Sequence, residues 1–425
     1  MPKFRGASIL FIDNVENASK ASLSCSLIQW ETSMARAFEG IRVIDFTQVL
    51  AGPFCAEQMA LLGADVIKIE QPSKPGQKGG DQGRSIMGDN ELGQAGFSPI
   101  FLSVNAGKRS IALDLKASET RPILEKLVKS ADVIVQNFKA GAIDILGYGY
   151  EWAKTIKPDI VYCSISGYGQ EGPYAGAPAY DGAIQAVSGM IALTGHPESG
   201  PCRVGFNVVD MATGMTAAFA VSSALFRRSQ TGEGQHLDVA MFDVALTMQA
   251  QAIIQYQAIG LEQPLMGNSS PALLPTSGLF ETGNGKLMIS ALTDGHWSGL
   301  AQAFEKPELV DDPRFKDTAA RKSHPEAVKT VMEASLSKDS AFNWEKRLAA
   351  VGVPAAPQLP IPEALKHPTL AHRDVLLTFE NVAGLDRSVP GIGAAFKANV
   401  DGPKADRPPP ALDQHREEIL RDSTN

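Results

Sequence analysis

Residues 42–70 read RVIDFTQVLAGPFCAEQMALLGADVIKIE, and this stretch decides the fold. RVIDF (42–46) is a short apolar run of the kind that forms a strand buried on both faces. Ala51-Gly52-Pro53 breaks it. Pro53 suits the first turn of a helix, and PFCAEQMALL carries apolar residues at helical spacing until Gly63 stops it. ADVIKIE (64–70) then returns to strand character. Strand, helix and strand in under thirty residues make one parallel crossover unit.

The rhythm repeats outward. RSIALDL (109–115), a helix over 118–130, ADVIVQNF (131–138) and DIVYCSISGYG (159–169) alternate again. The expected class is α/β, a mostly parallel sheet with helices on both faces. Residues 211–226, MATGMTAAFAVSSALF, read as a buried helix, and HLDVAMFD (236–243) gives a further strand and helix start. Past Gly260 a Pro- and Ser-rich stretch leads to a smaller unit, where GLFETGNGKLMISAL (278–292) carries a Gly-Asn-Gly hairpin signal. Helical material fills 296–350, and DQHREEILRD (413–422) forms a last short helix. The expected division is an extension over 1–35, a large domain over 36–255 and 350–425, and a small α+β domain over 260–345. The first 35 residues lack a signal-peptide layout. They read as a mobile appendage, or as lying before a true start at Met34.

Composition narrows the function classes. The chain has 425 residues and a net charge of −8, which does not support a nucleic-acid binder. Four cysteines without a C-x-x-C pair point to reduced thiols and a cytoplasmic setting. No histidine pair has metal-ligand spacing, no continuous apolar run reaches a membrane span, and no G-x-S-x-G elbow marks a serine hydrolase. Asp45 and Glu70 end consecutive strands as dinucleotide-binding acids would. The turn between them reads LAGPF, however, without the second glycine that a pyrophosphate needs. Cys202, beside Arg203, reads as an inert thiol.

One acid stands apart. In VGFNVVDMATGM (204–215), Asp210 sits among apolar and small residues, and its nearest basic neighbour in sequence is Arg203. Taken alone it reads as the N-cap of a helix starting near Met211, since Asp is a favoured cap.

Six ordered blocks alter that reading: 38–72 (FEGIRVIDF through IEQP), NAGKRSIALDLK (105–116), ADVIVQNFKAGAIDILGYGY (131–150), SISGYGQEGPYAGAPAYDGAIQAVSG (164–189), VGFNVVDMATGM and RRSQTGEGQHLDVAMFD (227–243). Together they resemble the CaiB/BaiF family, the class III coenzyme A transferases, with α-methylacyl-CoA racemases as relatives. The resemblance runs from about Ala35 to the C-terminus. It implies a Rossmann-like large domain, a smaller domain and an interlocked homodimer. It makes Asp210 the catalytic nucleophile, and it makes CoA a substrate held by Leu50, Ala51, Gln71, Leu113, Asp114, Leu115, Lys116, Asn137, Phe138, Lys139, Tyr180 and Asp181. No permanently bound cofactor and no metal is implied; the partners are an acyl-CoA and a carboxylic acid.

Departures matter as well. Gln71 and Ile145 stand where several relatives carry phosphate-contacting arginines, which leaves Lys116 and Lys139, and the loop lysines Lys74 and Lys78, to supply charge. Racemases of this kind use a histidine in a GHD motif; the matching residues here are Ala179-Tyr180-Asp181. A phenol, with an ordinary pKa near ~10, is a poor proton acceptor at neutral pH, so transfer is favoured over racemisation. A CoA-binding protein without chemistry is the remaining alternative.

Overall fold

A computed structural model describes residues 36–86 and 91–422, so the reading of residues 1–35 lies outside the described residues. The described residues gather into one compact unit. Its centre is a six-stranded, all-parallel sheet in the order β3-β2-β1-β4-β5-β6: β1 Arg42–Asp45, β2 Asp65–Glu70, β3 Arg109–Ala112, β4 Val133–Gln136, β5 Val161–Ser166 and β6 Gln235–Ala240. This is the doubly wound order, which reverses between β1 and β4. In such sheets, ligands bind beyond the carboxyl ends of the strands at that reversal, because the two outgoing chains part there and leave a crevice.

Strands β1–β5 are almost wholly buried because both sheet faces are covered, and apolar side chains alternate between those faces. Val43, Val133, Val161 and Cys163 point to one face, where helix α1 (Ala51–Leu61) packs. Ile44, Ile134 and Tyr162 point to the other, under the helices Thr120–Lys129 and Arg416–Asp422. That period-two alternation in β1–β5 is what a covered parallel sheet requires, while β6 at the edge is partly exposed.

Two further helices frame the crevice: α2 (Asp181–Val187) and α3 (Val208–Thr231). By length and mean hydropathy (1.4) α3 could cross a membrane, although no continuous apolar run in the sequence signals it. Here it packs on α1, burying Val209, Gly214, Ala217, Val221 and Leu225. Gly214 sets the crossing, since a Cβ there would lie 2.5 Å from the Ala51 carbonyl oxygen. The close approach places the first turn of α3, with Asp210, beside the start of α1.

Farther along, Ser277–Glu281, Lys286–Ser290 and Ala355–Pro357 form a three-stranded antiparallel sheet. The loop Thr282–Gly285, with Gly285 at φ = 87°, closes its hairpin where the Gly-Asn-Gly signal falls. The sheet shares a separate core with Trp297, Leu300, Met332 and Trp344.

Candidate active site

Two adjoining cavities open at the reversal point. One of about 280 Å3 is lined by the β1–α1 turn (Gln48, Val49, Leu50, Ala51), the segment after β4 (Asn137, Phe138, Lys139), Tyr180 and Asp210. The other, about 200 Å3, lies over the ends of β2 and β3 and is lined by Gln71, Leu113, Asp114, Leu115 and Lys116. Gln48 and Phe138 belong to both walls. The residues that the family resemblance assigns to catalysis and CoA therefore line these two adjoining cavities, with one exception.

Asp181 is that exception. It lines neither cavity; it is 4% exposed and works beneath the surface. One carboxylate oxygen accepts the backbone N–H groups of Val209 (2.8 Å) and Asp210 (3.1 Å). The other accepts the Gln185 side-chain amide at 2.6 Å, and the Gln185 carbonyl in turn accepts the Val204 N–H at 2.9 Å. The cap reading of Asp210 is thereby corrected. The helix begins at Val208, not near Met211; Asn207 holds the N-cap position without a side-chain bond, and Asp181 supplies the anion from another helix. An acid at a helix start satisfies free N–H groups and meets the positive end of the helix dipole, whichever segment brings it.

Asp210 is left free of that duty and half-buried at the cavity wall. Burial, and then the nearby Asp181 carboxylate, push its pKa up from 3.8 to about 7. Desolvation and a like charge both disfavour the anion, so the two causes act in the same direction.

The start of α1 lines the same cavity, and no side chain caps it. With Pro53 lacking an N–H, the unsatisfied donors of this first turn are the amides of Leu50, Ala51 and Gly52. Pre-set amides at a helix start are a ready anion site, suited to an oxygen that gains charge during reaction.

The other named residues divide by exposure. Tyr180 is 68% exposed at the cavity rim, and Ile145, also on the surface, lines neither cavity. Gln71 is exposed at the second cavity. Of the loop lysines, Lys74 pairs with Asp114 at 3.1 Å, whereas Lys78 donates to the Gln94 carbonyl at 3.1 Å. Asp45 and Glu70 are fully engaged structural acids. Asp45 meets Lys108 at 2.9 Å, and Glu70 takes Arg84 through two bonds of 2.6 and 2.7 Å. Ser164 is buried between Gln136 and His236. Cys202 is a free, exposed thiol.

Sequence reasoning passed over Gln48, Val49, Asp81 and Gln185. Gln185 had a signal, since it stands four residues after Asp181 on one helix face. Gln48 and Val49 had none, because backbone bonds from remote side chains define their role.

The model of CoA-transferase family III matches residues 38–416. The chain is 35% identical over 392 residues to succinyl-CoA:mesaconate CoA-transferase of Haloarcula hispanica, covering 90% of this chain and 96% of that one. It is 38% identical over 344 residues to acetyl-CoA:oxalate CoA-transferase of Acetobacter aceti, covering 80% and 85%. Among solved structures, a CaiB/BaiF family protein from Brucella suis superimposes with a TM-score of 0.79 at 32% identity, covering 92% of this chain and 100% of that chain.

Proposed function

The chain belongs to CoA-transferase family III, and from that premise we propose that it moves coenzyme A from an acyl-CoA to a carboxylic acid through covalent attachment to Asp210. CoA enters as a thioester substrate. Its nucleotide end lies along Gln71 and Leu113–Lys116, and its thioester reaches the cavity of Leu50, Ala51, Phe138 and Asp210.

The observation that carries the reading is the state of Asp210, a carboxylate at a cavity wall, raised to about 7 and set beside an uncapped helix start. An ordinary carboxylate expelling a thiolate, whose thiol titrates near ~8.5, climbs roughly 6 kcal/mol, at about 1.4 kcal/mol per pH unit of basicity. Raising the acid to about 7 narrows that climb to roughly 2 kcal/mol. Binding energy from the distant nucleotide end can supply a gap of that size.

In the first step, an Asp210 oxygen bonds to the donor acyl carbon, and the C–S bond breaks to release CoA thiolate and leave an aspartyl anhydride. The α1 amides hold the oxygen that becomes negative in between. The thiolate then attacks the aspartyl carbonyl, freeing the donor acid and forming aspartyl-CoA. An incoming carboxylate displaces the thiolate to give a second anhydride, and the thiolate attacks its acyl carbon, restoring the Asp210 carboxylate. No proton is consumed. Mesaconate and oxalate, in the names of the relatives, are both dicarboxylic acids, so short dicarboxylic acids are the acceptor class we favour.

The working unit we envisage is an interlocked pair of chains. Its support is the apolar surface of α3 (Met215, Phe219, Phe226) and of the helix Ala250–Ile259, which buries none of its residues. The division into a large domain (36–255 and 350–425) and a small one (260–345) is supported by the separate core around Trp297 and Trp344.

The test is acyl exchange between acyl-CoA and dicarboxylic acid pairs, read by mass spectrometry. Transfer that the wild type performs and Asp210→Asn does not is the expected result. Exchange of the α-proton with solvent deuterium, without any acceptor acid, would make the protein a racemase instead.

A further inference from the structure

The turn between β1 and α1 holds a backbone conformation that its sequence disfavours. Val49 has φ = 70°, in the left-handed region, where a β-branched residue is a steric outlier. Such strain persists only where neighbours over-determine it. Here they do. Asn137, just past β4, grips the preceding residue at both ends: its carbonyl oxygen accepts the Gln48 N–H at 2.9 Å, and its amide donates to the Gln48 carbonyl at 2.8 Å. Asp81 accepts the Val49 N–H at 2.8 Å and is itself held by Lys68, also at 2.8 Å. Lys68 additionally donates to the Thr47 carbonyl at 2.8 Å. The backbone from the Thr47 carbonyl to the Val49 N–H is thus tied to side chains distant in sequence. Gly83 closes the space behind, where an added Cβ would lie 3.4 Å from the Val49 Cα.

We propose that Asn137, with Asp81, is a positioning residue that clamps Gln48–Val49 in this strained turn, so that the first amides of α1 face Asp210. The side chain that the family resemblance assigns to CoA is engaged with the protein's own backbone at both of its polar atoms. Released from Asn137, Val49 relaxes toward negative φ, and the start of α1 swings away from the reacting carbonyl. The inference rests on the CoA-transfer reading for its kinetic consequence; the clamp itself can be measured without turnover.

The test uses Asn137→Ala, Val49→Gly and their combination. Asn137→Ala is expected to lower kcat about 30- to 100-fold with little change in KM for acyl-CoA. Glycine adopts a left-handed turn without strain, so adding Val49→Gly should restore kcat at least tenfold. A rise in KM of tenfold or more with kcat retained, or no recovery in the double variant, overturns the clamp and returns Asn137 to CoA contact. Should Asn137→Ala not fold, Asn137→Asp keeps the acceptor for Gln48 N–H and loses the donor, and Val49→Gly should rescue it likewise. Urea unfolding of the four proteins reads the same coupling independently of activity. Val49→Gly should raise the midpoint more in the wild type than beside Asn137→Ala, whereas additive midpoints overturn the clamp. A wild type that transfers no CoA would instead refute the function, with the unfolding cycle still deciding the clamp.

Discussion

Asp45, sealed in the core at the end of β1, and Asp210, half-buried at the cavity wall, carry the same side chain, and they titrate in opposite directions. Burial raises both. Around Asp45, Lys108 and Lys68 more than offset it, with Thr47 adding a hydrogen bond, and the acid ends below its ordinary value. Asp210 has no such cation; its charged neighbour is Asp181, and it ends at about 7. A buried carboxylate becomes structural or reactive according to the charge beside it. Glu57 is raised as well, to about 8 by burial, but it is sealed in the core, whereas Asp210 lines a cavity that a substrate can enter.

The sharpest way to break this contrast is to remove each acid's defining feature. Asp210→Asn keeps the shape and loses the nucleophile; transfer should fall by at least ~10^4-fold in a steady-state exchange assay, the scale seen when a covalent nucleophile is lost. Lys108→Met should leave Asp45 buried without its closest cation. Removing one partner of a buried pair costs roughly 3–5 kcal/mol, to be read from urea unfolding.

The third prediction separates the acids by their pH response. The folded protein holds a proton on Asp210 up to about pH 7, whereas the unfolded chain releases it near ~3.9. Between those values the folded state binds more protons, so this residue's contribution falls as pH rises, by up to ~4 kcal/mol in all. Asp210→Asn should therefore unfold at higher urea than the wild type at pH 8 and match it near pH 4. Asp45 has the opposite sign: its folded pKa is lowered, and its stabilisation is present above the unfolded value and lost on acidification through the folded one.

The smallest effect sharpens the comparison most. Wild-type kcat/KM should rise with pH through about 7, as Asp210 ionises in the free enzyme. Asp181→Asn removes the like charge and keeps the size, and this limb should move to lower pH by roughly one unit. An unmoved limb would assign the basicity of Asp210 to burial alone.

How much of this was legible follows from where the information lies. The parallel sheet could be read because strands covered on both faces are apolar runs, and RVID and DVIKIE are bounded by Gly and Pro. Asp210 stood out for its lack of local partners. Its surroundings did not, because Asp181, which caps its helix, lies 29 residues away and Lys108 lies 63 from Asp45. The start of α3 was misplaced for the same reason: a cap delivered through space leaves no mark beside the helix. The strain at Val49 is equally silent, since valine at a turn looks ordinary until its backbone angle is known.

The central claim, that Asp210 is acylated during turnover, has one direct measurement. The protein is mixed with acyl-CoA, quenched with hydroxylamine and digested, and the peptide spanning 204–215 is weighed. The account predicts a hydroxamate at Asp210 that forms only with acyl-CoA present and is absent from Asp210→Asn. Transfer that proceeds at full rate with this peptide unmodified, or with the mark on another residue, would contradict it.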